Sequence, residues 1–279
     1  MPGERRIRLH RDPATGIETI EAFFPGHAYD PHRHEDWLVG VTHHGVQAFR
    51  CRGRRWRSTP GRVILLEPEE VHDGEADDAA GFAYGMLYLP QPWLRAQLGP
   101  GPAGDPGFRT TLVEDPRLAQ AIRRALRSQA APEGRLAHDA ALDAVVEALR
   151  PQLGRPQREP ARGDAALARR ARAVLHDLMT EEIGADALAR AAGAADRFRL
   201  ARAFRAAYGL SPHAYLVQIR LVEARRRLAR GGRPAAVAAE LGFADQSHLG
   251  RWFRRAYGLT PAAYAARCTG VPDGARAAG

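Results

Sequence analysis

The spacing of apolar residues changes partway along the chain. From about residue 7 to residue 89 they come in short alternating or continuous runs: IETIEAFF (17–24), DWLVGVT (36–42), VQAFRC (46–51), RVILLE (62–67) and FAYGMLYL (82–89). Pro25-Gly26, Gly53, Pro60-Gly61 and Gly74 fall between these runs. Many short strands broken by Gly and Pro predict a sandwich or a small barrel. The Pro- and Gly-rich stretch 90–107 reads as a loop around a short helix, PWLRAQLG. The period then lengthens. Asp115-Pro116 opens a helix, where the missing proline N–H costs nothing, and Leu118, Ile122 and Leu126 form its apolar stripe. Leu136, Leu142, Val145, Val146 and Leu149 form a second stripe after a turn at 132–134. Both stripes are at helical spacing. They predict two helices packed on the barrel, one of which has a second use as a contact with another copy of the chain.

The proline-rich polar segment PQLGRPQREPARGD (151–164) reads as an extended linker. Beyond it the helical period dominates. Leu167, Val174, Leu175 and Leu178 mark a first helix. Asp186 is placed to cap a short helix, ALARAA, and Asp196 to cap the next, which ends at Gly209. Ser211-Pro212 starts a long helix that stops at Gly231-Gly232; Ser caps and Pro presets φ there. The sequence then repeats at an offset of 49 residues: DRFRLARAFRAAYGLSPHAY (196–215) returns as DQSHLGRWFRRAYGLTPAAY (245–264). Short helix, tight turn and second helix, twice over, predict two helix-turn-helix units joined by the long helix.

Charge sharpens this division. The net charge is +9 and all 41 basic residues are Arg. Residues 165–279 hold 19 Arg and 9 acids, a balance of +10, while residues 1–164 hold 22 Arg and 23 acids, a balance of −1. A basic half beside a near-neutral half points to a polyanion-binding domain and a domain with another task. Cys51 and Cys268 give neither a disulfide framework nor zinc spacing. No apolar run approaches the roughly 18 residues of a membrane span, and the N-terminal stretch lacks the apolar segment of a secretory signal. A cytoplasmic protein with no membrane partner is expected.

In each repeat a pair four residues apart, Leu200 and Phe204 or Leu249 and Phe253, marks the buried face of the second helix. That leaves Arg197, Phe198, Ala201, Arg202 and Arg205 in the first copy, and Gln246, Ser247, Gly250, Arg251 and Arg254 in the second, to face DNA. Small residues at 201 and 250 let the backbone approach a groove floor. Arg202 and Arg251 suit guanine, Gln246 suits adenine, and Arg205 and Arg254 suit phosphates. Arg225, Arg226 and Arg227 on the long helix also read as phosphate contacts.

At these positions the C-terminal part resembles the AraC/XylS family of bacterial transcription regulators, over roughly residues 165–267, most strongly in LGFADQSHLGRWFRRAYGLTPAAY (241–264). The resemblance implies two helix-turn-helix motifs in adjacent major-groove segments of promoter DNA. It also implies RNA polymerase as a further partner and a homodimer under the control of a small-molecule effector. Residues 26–72 resemble the cupin-like sensing domain common in that family, through Gly26, His32-Arg33-His34, Gly61, Pro68 and His72. In cupin enzymes two such motifs give three His and one Glu to a metal. Here Leu38 and Val39 stand where the Glu is expected.

The expected architecture is therefore an α+β multidomain protein. An N-terminal cupin-like β-barrel with two helices (1–150) is followed by a linker (151–164). An all-α domain with two helix-turn-helix motifs (165–268) and a disordered tail (269–279) complete the chain. His32, His34, Trp37, His72 and Tyr84 are the expected effector-binding set, with no cofactor and no catalytic residue. The alternative gives His32, His34 and His72 to a metal, in a metal-dependent cupin enzyme fused to a DNA-binding domain. Effector identity, operator and the choice between activation and repression stay open.

Overall fold

The computed structural model describes residues 5–99, 107–128, 134–154 and 164–269. It divides into two compact units, with the boundary between Gln157 and Arg158. The expected tail beyond 269, most of the expected linker, the turn at 132–133 and part of the 90–107 loop lie outside the described residues.

The N-terminal unit is built from β1 (Arg6–Arg11), β2 (Glu18–Phe24), β3 (His27–His32), β4 (Trp37–Gly45), β5 (Gln47–Cys51), β6 (Arg54–Ser58), β7 (Val63–Leu66), β8 (His72–Ala76) and β9 (Phe82–Leu89). There follow α1 (Gln91–Leu98), β10 (Gly107–Phe108), β11 (Leu112–Val113), α2 (Pro116–Ser128), α3 (Arg135–Leu149) and β12 (Leu153–Gly154). One antiparallel sheet has the order β1-β2-β9-β4-β7-β11, a second has the order β3-β8-β5-β6, and β10 pairs with β12. The five apolar runs of the sequence are β2, β4, β5, β7 and β9; the polar sequences of β1, β3, β6 and β8 carry no such mark.

Strand alternation gives the large sheet two apolar faces. Ile20, Phe24, Leu38, Ile64, Phe82, Tyr84, Met86 and Tyr88 meet Ala28, Tyr29, Phe49 and Cys51 of the second sheet. Ile17, Trp37, Val39, Val41, Val63, Leu65, Leu87 and Leu89 meet Leu118, Ile122, Leu126, Leu142, Val145, Val146 and Leu149 of α2 and α3. The unit is thus sheet on sheet on helices. Gly85 makes the third layer fit, because a Cβ there would stand 2.3 Å from Leu126 Cδ1.

Two expectations need correcting here. Leu136 does not belong to the α3 stripe and is 84 % exposed. The buried positions run His138, Leu142, Val145, Val146, Leu149. Leu136 lies two residues, about 200°, from His138 around a helix of 3.6 residues per turn. Residues 151–154 are not extended linker either. Arg150–Gln152 form a 3-10 turn, and β12 pairs with β10 through Phe108 and Leu153.

The C-terminal unit is α4 (Ala165–Asp177), α5 (Ala185–Ala191), α6 (Arg197–Tyr208), α7 (Pro212–Ala229), α8 (Pro234–Glu240), α9 (Gln246–Tyr257) and α10 (Pro261–Thr269). Its first core joins Leu167, Ala171 and Leu175 of α4, Leu188 of α5, Leu200 and Phe204 of α6, and Tyr215, Leu216 and Ile219 of α7. The far end of α7 buries Leu221, Ala224 and Leu228, where it packs against α8, α9 and α10. At about 1.5 Å per residue α7 is about 27 Å long, so one rigid rod carries both helix pairs. Asp186 does not cap α5: Gly184 holds the N-cap position, and the Asp186 carboxylate faces Arg197 at 3.5 Å instead.

Candidate nucleic-acid interface and effector site

The two helix pairs are the same device built twice. The carboxylates of Asp196 and Asp245 accept hydrogen bonds from the backbone N–H groups of Arg199 (2.7 Å) and His248 (2.6 Å), the N-cap bond that satisfies an otherwise unpaired donor. Gly193 and Gly242 turn the chain before them at φ 72° and 71°; Gly209 and Gly258 end the helices at φ 72° and 73°. That left-handed region suits glycine because it has no Cβ. Beneath each second helix a phenylalanine packs on two tyrosines. Phe204 lies 4.8 Å from Tyr208 and 5.2 Å from Tyr215; Phe253 lies 4.7 Å from Tyr257 and 5.5 Å from Tyr264.

With those faces buried, the remaining faces are fixed. Arg197, Phe198, Arg202 and Arg205 are exposed on α6 with Ala201 half-buried; Gln246, Ser247, Arg251 and Arg254 are exposed on α9 with Gly250 half-buried. Phe198 is 62 % exposed, and the Arg197 guanidinium lies 5.0 Å from its ring. A Cβ on Gly250 would meet nothing within 4 Å, so the backbone is open to a close approach. The burial of Leu200, Phe204, Leu249 and Phe253 is what α-helical spacing predicted.

Arg225, Arg226 and Arg227 do not form one phosphate-binding face. Arg227 pairs with Glu223 at 2.8 Å and Glu240 at 2.5 Å, and Arg226 faces Glu223 at 3.6 Å. Arg225 lies over the rings of Tyr257 and Tyr264 at 5.6 and 5.7 Å. Arg227 thereby ties α7 to α8 and Arg225 ties it to α9 and α10, while the Arg226 pair lies within α7.

Sequence reasoning passes over Arg220. From α7 its guanidinium donates to the carbonyls of Met179 (2.7 Å), Glu181 (2.8 Å) and Gly242 (2.7 Å). It thereby ties the turn after α4 to the turn of the second helix pair. Gly242 is needed at that point, since a Cβ would stand 2.8 Å from the Thr180 carbonyl and 2.9 Å from Arg220 Nη2. An isolated Arg inside an amphipathic helix gives no signal of this; only the tertiary convergence of three carbonyls does.

In the N-terminal unit His32, His34 and His72 come together, although the latter two lie 38 positions apart in the chain. His32 and His72 are directly paired across β3 and β8. The ring centroids are 4.8 Å apart for His32–His34, 4.5 Å for His32–His72 and 5.4 Å for His34–His72. All three are buried, at 2, 3 and 8 % exposure. His32 Nδ1 lies 2.8 Å from the Asp30 carbonyl and His72 Nδ1 3.0 Å from the Glu70 carbonyl. Burial pushes the His72 pKa down, against the opposing pull of that carbonyl and of Asp73, so the ring is held neutral.

Aromatic rings line the inter-sheet side of this cluster. Tyr29 is 5.4 Å from His32, Tyr88 is 5.0 Å from His34, and Tyr84 meets the Tyr29 hydroxyl with its own. Tyr84 therefore stands on the same inter-sheet side as the histidines, one ring removed from His32 through Tyr29. Trp37 does not: it lies on the opposite face of the sheet, its ring 5.0 Å from Phe108. Alternation along β4 explains this, since facing Leu38 toward the second sheet turns Trp37 toward the helices. Of the nearby acids, Glu67 and Glu70 are bonded to Arg52. Burial raises the Cys51 thiol well above its ordinary pKa, so it stays protonated.

The comparisons with known proteins agree with both halves. The family described as AraC-like ligand binding domain matches residues 14–146, and the one described as Helix-turn-helix domain matches residues 188–267. The fold is that of ToxT from Vibrio cholerae O395, with a TM-score of 0.55 at 10 % identity over 96 % of this chain and 98 % of that one. Unsaturated fatty acid bound wild-type ToxT from Vibrio cholerae strain SCE256 matches with a TM-score of 0.52 at 12 % identity, over 97 % and 98 % of the two chains. The DNA-binding domain of AdpA, a global transcriptional factor solved with a target DNA, is 32 % identical over 36 % of this chain and 90 % of its own, with a TM-score of 0.33. No curated protein sequence matched the chain. A ligand-binding β-domain followed by two helix-turn-helix units defines an effector-controlled transcription regulator, and the chain belongs to the AraC family of these.

Proposed function

We propose that the C-terminal unit reads two adjacent major-groove segments of promoter DNA, α6 through Arg197, Phe198, Ala201, Arg202 and Arg205, and α9 through Gln246, Ser247, Gly250, Arg251 and Arg254. The observation that carries this is the duplicated geometry: two helices with the same cap, turn and buried ring cluster, each presenting its polar face outward on one rod. Arg202 and Arg251 address guanine O6 and N7, the polar end of Gln246 addresses adenine, and Phe198 offers an apolar surface to a thymine methyl. Arg205 and Arg254, one turn further along, address phosphates, which supply affinity without sequence.

The N-terminal unit takes the effector beside His32, His34, His72 and Tyr84, where polar ring atoms converge within apolar walls. The solved relative bound to an unsaturated fatty acid supports an amphipathic effector as one class to test. Control requires that the effector bind two states of the protein unequally, because a ligand with equal affinity for both shifts nothing. The protein works as a homodimer. Support for this comes from Leu136, exposed on α3 beside the half of that helix already buried on its own barrel. It acts in the cytoplasm, with RNA polymerase as a further partner and without enzymatic activity; among the described residues no helix is long and apolar enough to cross a membrane.

Fluorescence anisotropy tests the reading. Labelled duplex from upstream of the gene, compared with a scrambled duplex at one fixed salt concentration, is expected to bind at least about a hundredfold tighter, about 2.7 kcal/mol. A metabolite that docks at the histidines is expected to move that affinity. Equal binding of native and scrambled duplexes across wide genomic fragments, with and without metabolite pools, overturns it.

A further inference from the structure

We propose that Arg199 is a further DNA-backbone contact of the first helix pair, and that Asp164 and Asp186 hold Arg199 and Arg197 in place of phosphate until DNA displaces them. Both halves rest on the DNA reading above. They add to it a mask on one of the two units.

Arg199 stands at the edge of the DNA-facing surface. At 3.6 residues per turn it lies about 60° around α6 from Arg202, and at least about 100° from the buried Leu200 and Phe204. Its side chain is 52 % exposed. Its backbone is pinned, because its N–H donates to Asp196 at 2.7 Å, so only the side chain has to move. The guanidinium is engaged from the side: Nε and Nη2 both reach one oxygen of Asp164, at 2.7 and 2.6 Å. Asp164 occupies the N-cap position of α4, where an aspartate side chain ordinarily accepts from a backbone N–H of the first turn. Here the side chain makes no such bond. The carboxylate is turned from its own helix onto the neighbouring one. Asp186, in the first turn of α5, faces Arg197 at 3.5 Å.

The second helix pair has neither acid. At the offset of 49 residues His213 and Ala235 stand in place of Asp164 and Asp186, and Gln246 and His248 in place of Arg197 and Arg199. The cations and their counter-ions are both private to the first pair. A carboxylate and a phosphate offer a guanidinium the same kind of acceptor oxygens, so the two acids and the DNA backbone compete for the same arginines. Exposed ion pairs are weak and a duplex offers many phosphates, so DNA wins the exchange. Counter-ions give that exchange a signature. An unmasked arginine that takes a phosphate releases about 0.9 of a condensed cation. When Arg199 takes a phosphate it leaves the Asp164 carboxylate bare, and a cation returns to it. The first pair therefore adds little to non-specific attraction, and the second pair engages DNA first.

The test is fluorescence anisotropy of the full-length protein on a labelled duplex of scrambled sequence, across a salt series. Asp164→Asn is expected to tighten binding about three- to fivefold, the upper range for an exposed pair, and to steepen the salt slope by about 0.9. Arg199→Ala alone is expected to leave the slope as in the wild type. Arg199→Ala added to Asp164→Asn is expected to abolish both gains. Asp186→Asn is expected to act in the same direction and more weakly, since its pair is longer. Asp177→Asn, an exposed acid at the other end of α4, is expected to change neither quantity. Folding of each variant is checked by circular dichroism. No gain at Asp164→Asn overturns the mask. So does an equal gain with Arg199→Ala present, which would make Asp164 an ordinary negative charge near DNA. If the wild type fails to bind the duplex at all, the DNA reading falls and the mask with it. If it binds and Asp164→Asn changes nothing, the mask alone falls.

Discussion

The two helix pairs agree inside and diverge outside. Leu200 and Leu249, Phe204 and Phe253, Tyr208 and Tyr257, Tyr215 and Tyr264 are identical across the 49-residue offset, as are Arg202 and Arg251, Arg205 and Arg254. On the exposed faces the helices differ at Arg197 against Gln246, Phe198 against Ser247, Ala201 against Gly250 and, near the helix end, Ala206 against Arg255. Buried rings and caps dictate where a helix sits. Its outward face is constrained only by what it touches. On the proposed reading, the shared Arg205 and Arg254 supply the common part of DNA affinity, the shared Arg202 and Arg251 read the same base type in each unit, and the divergent positions set what each unit reads besides.

Breaking the shared interior has the largest effect. Phe204→Ala and Phe253→Ala each empty a buried ring cluster and are expected to cost about 3–5 kcal/mol, measured by urea unfolding of the full chain. Costs that differ widely between the two sites would mean that the copies are not packed alike. Arg220→Ala removes three bonds from a cation to carbonyls and is expected to cost about 2 kcal/mol. Because the clamp holds two turns together, it is also expected to weaken binding to a two-site duplex more than binding to either half-site alone. An equal loss on all three duplexes would reduce Arg220 to a stabilising contact.

The exposed faces are probed by Arg251→Ala and Arg254→Ala. The first is expected to lose about 1–3 kcal/mol of discrimination at one or two base pairs, with the salt dependence largely kept. The second is expected to weaken all sequences alike and to reduce the salt slope by about 0.9. Identical behaviour of the two variants would place both on one face. The helix caps give smaller effects: Ser211→Ala and Thr260→Ala, whose hydroxyls accept from Ala214 (3.2 Å) and Ala263 (3.1 Å), are each expected to cost about 1 kcal/mol.

The smallest effect is a pH dependence. The backbone N–H of Arg199 holds the Asp196 carboxyl below its ordinary value of 3.8. A carboxyl with a lowered folded pKa contributes stability that is present above the unfolded value and lost as pH falls through the folded one. Asp196→Asn is expected to flatten that part of the acid unfolding curve. An unchanged curve would mean that the cap bond does not favour the charged form.

The legible parts of this molecule are those where one physical rule dominates. The α6 and α9 faces follow from helical spacing and a duplicated cap. Strands β2, β4, β5, β7 and β9 follow from apolar runs. The strands that bring two of the three histidines together are hidden: β3 reads HAYDPH and β8 reads HDGEA, with too little apolar content to mark either. His32 and His72 still stand out, through a resemblance rather than a pattern. Trp37 is misplaced from sequence because period-two alternation says which residues share a face and not which face it is. Leu136 is misplaced for lack of a phase reference, which the buried His138 supplies. The Arg220 clamp has no sequence signal at all.

Selection of bound duplexes from a random library tests the central claim most directly, with the full-length protein and its Arg202→Ala and Arg251→Ala variants run in parallel. The account predicts two unlike sequence motifs about 10–10.5 base pairs apart, with each substitution relaxing one or two base positions of one motif and sparing the other. A single motif, no enrichment, or both motifs lost together with either arginine would contradict it.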